Sequence, residues 1–335
     1  MRLATYNVEW FDALFDDAAR PIREGLAARR GLLRTRQWDA LGAVFRAVDA
    51  DAVLVIEAPD ISRRRDGLAA LRAFAAEMGL SARDAVAGFP NDTQQEIALL
   101  YDPDVLAVRH DPLDVPEAPR FDGQFRIDLD VDDREDRVRF SKPPLELALR
   151  AGGRDIRLIG AHLKSKAPHG AKNQDDLMRL ALAARRKHLA QSVWLRRRID
   201  GHLARSEPLV VMGDFNDGPG LDAFETLFGR SGVEIVAGEG EGALVDPSIA
   251  ATVDGSGPTS ARFERPGGWL TALLDYAMVS PDIAATGPAW RIWHPLEDAR
   301  LAADPPLRDA LLAASDHFPV TLDFDPARLG DSMSR

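Results

Sequence analysis

Several short apolar runs of this sequence stop at a group that can bind a cation or move a proton. LATYN ends in Asn7, VLVIE in Glu57 and LIGAH in His162, while LVVMGDFN carries Asp214 and Asn216. Further on, LLDY holds Asp275, and SDHFPV presents Asp316 and His317 ahead of a last apolar run. An apolar run that ends in a carboxylate, an amide or an imidazole puts that group at a sheet edge. Several such runs side by side would gather the groups into one cleft. Oxygen donors such as Glu57 and Asp316, with Asn7 nearby, suit a hard cation, Mg²⁺ or Mn²⁺, over softer metals. Histidine titrates near neutrality and can serve an attacking water or a departing oxygen. These are the requirements of metal-assisted hydrolysis of a phosphate ester, whose anionic centre repels hydroxide unless a cation screens it.

Each residue taken singly has a plainer reading. Glu57 could face water at a strand end, although a cation would better compensate a carboxylate that follows five apolar residues. Asp214 ends a run like that of a nucleotide-binding strand, but the chain has no G-x-x-x-x-G-K-S/T loop. Asn216, followed by Asp217-Gly218-Pro219, reads as a turn residue, and Asp275 as a buried acid within its strand. His162 and His317 alone each read as a satisfied core imidazole. The repetition argues for a site, and Asp316 beside His317 sets a charge next to an imidazole. His169, His188 and His202, in or near a long helical stretch, are assigned no catalytic part. Other mechanisms leave no trace: there is no G-x-S-x-G elbow, no H-E-x-x-H pair and no cysteine.

The elements that must carry these groups follow from periodicity. Strands are expected over 2–7, 52–57, 96–101, 145–150, 156–162, 209–213, 273–279 and 320–324. Helices are expected over 35–48 and 65–78, the second with Leu68, Leu71, Phe74, Ala75 and Met78 on one face. A long helix is expected over 173–203, with Asn173 as N-cap and Asp175 and Asp176 in its first turn. Its basic positions (Arg185, Arg186, Lys187, Arg196, Arg197, Arg198) read as a solvated flank. Residues 102–139, dense in Pro, Asp and Arg, read as an excursion between two sheet strands. Within it Asp128, Asp130 and Asp132 alternate like a calcium loop, but Asp133 stands where the turning Gly belongs and Arg139 where the closing Glu belongs, so no calcium site is assigned. The Gly-rich stretch 229–266 reads as loop, and the residues after Pro326 as a frayed tail.

The 335 residues suffice for one large core, and 45% of them are hydrophobic. The formal charge of −11 disfavours sequence-independent clamping of nucleic acid through many basic contacts, without excluding a cleft that meets a polyanion locally. The absence of cysteine excludes disulfide scaffolds and thiolate metal sites. No leader or membrane-spanning run is visible, so a cytoplasmic protein is expected, with no protein partner predicted.

The ordered set from Tyr6-Asn7 to Ser315-Asp316-His317 resembles the endonuclease/exonuclease/phosphatase superfamily, over nearly the whole chain. Gly213-Asp214-Phe215-Asn216, Leu274-Asp275-Tyr276 and Ser315-Asp316-His317 are the most specific segments. The resemblance implies a four-layer α/β/β/α sandwich of two mixed, mostly antiparallel sheets, with residues 1–325 as the catalytic domain and 326–335 as a tail. It implies that Asn7 and Glu57 hold the metal with help from Asp316, that Asp214 orients or deprotonates the attacking water, and that Asn216 holds the phosphate. His317, polarised by Asp275, would contact the scissile phosphate or act as base. His162 stands where the deoxyribonuclease-like branch has a histidine, and would serve the leaving oxygen. Phe140-Ser141-Lys142 resembles that branch's F-S-R segment, so Lys142 would replace a phosphate-gripping arginine, keeping the charge but losing the bidentate fork. Lys164 and Lys166, in an H-x-K-S-K segment, would be further phosphate contacts. The sequence departs from the pattern at Ile56, where a glutamine is usual, and in Ala58-Pro59 after the glutamate.

The preferred reading is a metal-dependent phosphodiesterase, a nuclease that attacks DNA or RNA with activated water. The alternatives are an enzyme for a small or lipid-headgroup phosphate ester, and an inactive member of the family that binds without cleaving.

Overall fold

The alternation of side chains along each apolar run sets the layers. In the strand Ala52–Ala58, Val53 and Val55 enter one buried cluster and Leu54 and Ile56 another, on the opposite face. The computed structural model describes the chain except residues 30, 116–117, 130–134, 169, 221–224, 228, 253–256 and 331–335. Asp130, Asp132, Asp133, His169 and the end of the expected tail thus lie outside the described residues.

In chain order the strands are β1 (Arg2–Asn7), β2 (Ala52–Ala58), β3 (Asp84–Ala87), β4 (Glu96–Tyr101), β5 (Ala107–His110), β6 (Phe125–Ile127), β7 (Asp136–Val138), β8 (Leu145–Ala151), β9 (Arg154–His162), β10 (Leu209–Asp214), β11 (Ala261–Arg265), β12 (Gly268–Ala272), β13 (Asp275–Val279), β14 (Ala289–Ile292) and β15 (Val320–Asp323). Six form one sheet, in the order β14-β15-β1-β2-β4-β3, and five the other, in the order β13-β10-β9-β8-β5. Only β1–β2 and β9–β10 pair in parallel among these neighbours; the rest are antiparallel.

Between the sheets lies an aliphatic core that includes Leu54, Ile56, Leu99, Leu147, Leu158 and Met212. The sheets approach closely where Gly160 faces Leu54: a Cβ on Gly160 would lie 2.5 Å from Leu54 Cδ1. Outside the six-stranded sheet pack α1 (Arg34–Val48) and α2 (Gly67–Met78), through Trp38, Phe45, Leu71 and Phe74. Asp66 caps α2 by accepting the Ala69 N–H. Outside the five-stranded sheet lies α3 (Gln174–Leu203), through Trp194, Leu195 and Ile199. Asn173 caps it as expected, accepting the Asp176 N–H at 2.8 Å. The four layers expected from the family resemblance are present.

Several local expectations fail for identifiable reasons. The stretch 102–139 supplies β5, an edge strand of the five-stranded sheet, and the small β6–β7 hairpin. As an edge strand, β5 alternates exposed with half-buried residues and shows no apolar run. The stretch 229–266 holds α4 (Gly232–Ala237), closed by a Ser231/Glu234 capping box, then α5 (Pro247–Ala251) and β11. One-turn helices are too short to display a 3.6-residue period. The expected strand 273–279 begins only at Asp275, after the separate strand β12. On α3 the basic flank is not uniformly solvated: Arg198 is 0% exposed, and Arg196 donates to the carbonyls of Val236, Ala237 and Gly242. Pro326–Arg328 forms a 3-10 turn and Leu329 is buried in the inter-sheet core, so order extends past the expected start of the tail.

Candidate active site

Strand register brings the first three groups together. At the end of β10, Asp214 pairs with His162 of parallel β9 on one side and with Asp275 of antiparallel β13 on the other. The Asp214 carboxylate is the hub. Its Oδ2 accepts from Asn7 Nδ2 at 3.0 Å and Asn216 Nδ2 at 3.2 Å, and its Oδ1 accepts the Asn216 N–H at 2.8 Å. Asn7 ends β1, so this bond ties one sheet to the other. His162 Nε2 stands 3.5 Å from Asp214 Oδ2. From beyond, His317 gives Nδ1 to Asp275 Oδ2 at 2.8 Å and aims Nε2 toward Asp214 Oδ2 at 3.9 Å. Ser260 fixes Asp275 by donating to the same Oδ2 at 2.7 Å, and Ser315 Oγ holds the His317 N–H at 3.1 Å.

The backbone is strained where it presents these groups. Glu57 sits at an irregularity between Ile56 and Ala58, at φ 61°. This left-handed conformation is unfavourable for a side chain of that size and turns Glu57 out of the ladder into the cleft. Its Oε2 accepts the N–H of Trp10 at 2.9 Å, and Trp10 too is left-handed, at φ 61°. Asn216, at φ 52°, is a third such residue. Beside Asp214, Gly213 has φ 139°, and a Cβ there would lie 2.0 Å from the Ala161 carbonyl oxygen. Gly213→Ala is therefore expected to destabilise the fold by about 3 kcal/mol and to displace Asp214. Urea unfolding of the variant measures the first effect; a midpoint unchanged from wild type would show that the backbone can yield there.

These groups line one cleft of about 890 Å³, which takes in Asn7, Glu57, Lys142, His162, Lys164, Lys166, Asp214, Asn216, Asp316 and His317. Asp275 stands just behind it, through His317. Every residue expected from sequence is thus in or against one pocket. Their charge states differ sharply. Burial opposes charge on His317, but Asp275 and Asp214 outweigh it and hold the imidazole well above its usual range. Burial depresses His162 well below that range, and Lys142, His317 and Lys164 depress it further. Burial pushes Asp214 up to about 6. The two histidines therefore differ at neutral pH, His317 charged and His162 neutral.

The lysines divide. Lys142 Nζ lies 3.1 Å from each ring nitrogen of His162, and burial lowers its pKa. Lys164 is lowered by burial and by Lys187. Lys166 instead meets Asp217, and Glu225 at 2.7 Å. Its charge is neutralised within the protein, which removes it from the phosphate contacts expected from sequence. Asn216 differs from expectation too. Its amide N–H groups go to Leu163 O at 3.1 Å and to Asp214, so it orients the carboxylate.

The oxygen donors fit a hard cation. Glu57 and Asp316 share the cleft with Glu9, a residue the sequence reading passed over. Burial and the neighbouring Asp316 push Glu9 up to about 7, against the opposing charge of Arg29. Glu9 and Asp316 are direct neighbours, the Asp316 N–H donating to Glu9 Oε2 at 3.2 Å, and neighbouring carboxylates favour a bound cation. Asn7 donates Nδ2 to Asp214 and accepts the Glu9 N–H on Oδ1 at 3.1 Å, which fixes the amide beside these neighbours and leaves Oδ1 a second lone pair. Asp214, Asp275 and His317 also offer ligand atoms within 4.8 Å of one another. There, however, His317 Nδ1 is bonded to Asp275, an arrangement that holds a proton.

The sequence profile of the Endonuclease/Exonuclease/phosphatase family matches residues 4–317. The chain belongs to that family. Solved structures agree with the family's fold at low identity. TDP2 from C. elegans superposes with a TM-score of 0.53 at 14% identity, over 96% of this chain and 74% of that one. A 3'-5' exonuclease from Neisseria meningitidis gives 0.51 at 17%, over 97% and 100%. An endonuclease/exonuclease/phosphatase family protein from Bacteroides thetaiotaomicron gives 0.51 at 14%, over 98% and 97%. No curated protein matches the chain by sequence.

Family membership places the chain among phosphoric ester hydrolases, and two further residues serve its site. His188 of α3 has Nδ1 2.8 Å from Lys164 O and Nε2 3.3 Å from Asp217 Oδ2, joining the loops that follow β9 and β10. Its only sequence signal was a histidine on the buried face of α3. Glu9 had a clearer one, a carboxylate two residues beyond Asn7. Among the described residues no helix is long and apolar enough to cross a membrane.

Proposed function

We propose that this protein is a metal-dependent phosphodiesterase that hydrolyses nucleic-acid phosphodiester bonds with activated water. The observation that carries the reading is Asp214 between His162 and His317, in one cleft with Glu9, Glu57 and Asp316 and with two lysines that have no carboxylate partner among the described residues. Glu57, Asp316 and Glu9 would hold Mg²⁺ or Mn²⁺, which supplies charge screening at the scissile phosphate. Asp214, ionised at neutral pH, takes the proton of the attacking water at Oδ2, with Asn7 and Asn216 fixing its plane. His317 presents its Nε2–H to a phosphoryl oxygen, and Asp275 keeps the imidazole protonated and aimed. His162, neutral and beside the Lys142 amine, gives the departing oxygen a hydrogen-bond donor. Lys142 and Lys164 meet the phosphates flanking the cleaved bond.

The test is a panel of plasmid, single-stranded DNA, RNA and a chromogenic phosphodiester, assayed with Mg²⁺ or Mn²⁺ and with chelator. Nucleic-acid cleavage is expected only with metal, and Glu57→Gln is expected to lower it at least a hundredfold through loss of a charged ligand. Cleavage should weaken as salt rises, in step with the number of phosphate contacts. Turnover of the chromogenic ester alone, insensitive to salt, would point to a small phosphate ester. A Glu57→Gln enzyme at full activity would show that the site is misassigned.

A further inference from the structure

The cleft has two chemically different flanks. Asp214 stands at the middle, with β13 on one side and β9 on the other. On the β9 side lie Lys142, Lys164 and, from α3, Lys187. On the β13 side stands the β11–β12 ribbon. Alternation along it turns Phe263, Arg265, Leu270 and Ala272 into the cleft. The opposite face carries Arg262 and Trp269, with the guanidinium stacked 3.6 Å from the ring centroid.

The ribbon is pinned to the catalytic groups. Arg262 N–H donates to Asp316 O at 2.7 Å, and Phe318 N–H to Ser260 O at 2.7 Å. The Phe263 ring is thereby held edge-on to His317, centroids 5.5 Å apart. Leu270 is 45% exposed, and Trp10, 43% exposed, adds a second apolar face to the cleft.

An unpaired strand carries its phosphates along one side and its bases along the other. A duplex turns its bases inward and offers a protein two rails of phosphate. One flank of amines faces a flank where Phe263 and Leu270 offer apolar faces beside the guanidinium of Arg265, and this asymmetry matches the unpaired strand. Apolar and aromatic faces take any base by stacking, so this contact needs no sequence. We infer that the protein selects unpaired nucleic acid, with Phe263 and Leu270 seating a base beside the scissile phosphate while Lys142 and Lys164 hold the backbone. The inference rests on the nucleic-acid reading above and narrows it to single strands, loops and frayed ends. A bilayer is the competing use of an apolar ribbon, but Phe263 and Leu270 face into the cleft, where a membrane does not reach.

The experiment uses a labelled phosphorothioate oligonucleotide, which resists hydrolysis, and its duplex, titrated by fluorescence anisotropy with Mg²⁺ present. The unpaired form is expected to bind at least tenfold tighter. Leu270→Ser, at an exposed position where folding is not at stake, is expected to weaken that binding roughly tenfold, as is Phe263→Ala, while Phe263→Tyr retains it. With hydrolysable substrates, the ratio of kcat/KM on the unpaired oligonucleotide to that on the chromogenic diester should fall by a similar factor in Leu270→Ser, through KM. Equal affinity for duplex, an unchanged ratio, or Leu270→Ser losing affinity for anionic phospholipid vesicles but not for the oligonucleotide would each overturn the inference. Tight, selective binding of an unpaired oligonucleotide that is never cleaved would sink the nuclease reading and leave this one standing.

Discussion

His317→Ala is expected to lower turnover by roughly a hundred- to ten-thousand-fold, the range for removing a positioned proton donor. The loss should fall on kcat, because the lysines that meet the substrate are untouched. Two titrations then frame the wild-type pH profile. Asp214, pushed up to about 6 by burial, must be ionised to accept a proton, so activity should fall as the pH drops through that region. His317 must be charged to donate, and burial works against that charge, but Asp275 and Asp214 hold it well above the ordinary imidazole value of 6.5. Activity should therefore persist through neutrality and decline only on the alkaline side. Asp275→Asn removes the partner that raises His317, so the alkaline limb should move to lower pH. Measuring kcat and kcat/KM against pH for the three enzymes checks this, and a His317→Ala enzyme within tenfold of wild type would remove the imidazole from the chemistry.

The second large effect is on stability. Arg198 Nη2 donates to both oxygens of Glu146, at 2.8 and 2.6 Å, and to the Leu113 carbonyl, while its Nη1 reaches Ala118 O at 3.1 Å. Glu146 also accepts from the Leu113 N–H at 3.2 Å and from His202 Nε2 at 3.0 Å. Arg198→Met leaves that carboxylate buried without its main partner, and a loss of about 3–5 kcal/mol is expected in urea. Combining it with Glu146→Leu should recover part of the loss, since an apolar pair no longer strands a charge. A single variant as stable as wild type would show that water reaches the carboxylate. His202 belongs to the same network. Burial lowers its pKa, yet hydrogen bonds to Glu146 and Glu207 prevail and raise it above 6.5. Its contribution is thus complete below pH 6.5 and fades as the pH climbs through the raised value. His202→Gln should flatten that part of the stability profile.

The candidate groups were legible because each stands at or within a few residues of an end of a buried strand, and a strand announces itself by its apolar run. Asp214, His162 and Asp275 even owe their contact to register alone. Lys166 was misread because sequence shows a charge but not its partners, and Asp217 and Glu225 meet it only through the fold. Arg198 was misread for the same reason, since a helical arginine looks alike whether it faces water or a buried glutamate. The edge strand β5 and the short helices α4 and α5 escaped because elements with one wet face or a single turn leave no period to detect. Glu57 was found by position, while the left-handed backbone that aims it lies beyond what residue type can disclose.

The first strand of this protein zips against its last: Arg2 to Thr5 of β1 lie beside Asp323 to Val320 of β15. Asn7 ends one, and His317 stands three residues before the other. A chain without residues 316–323 therefore lacks both the closing seam and the imidazole. A fragment truncated before Asp316 should be inactive in the cleavage assays, even where the other site residues are present. Such distant pairing also slows folding, since a long loop must close before the contact rewards it.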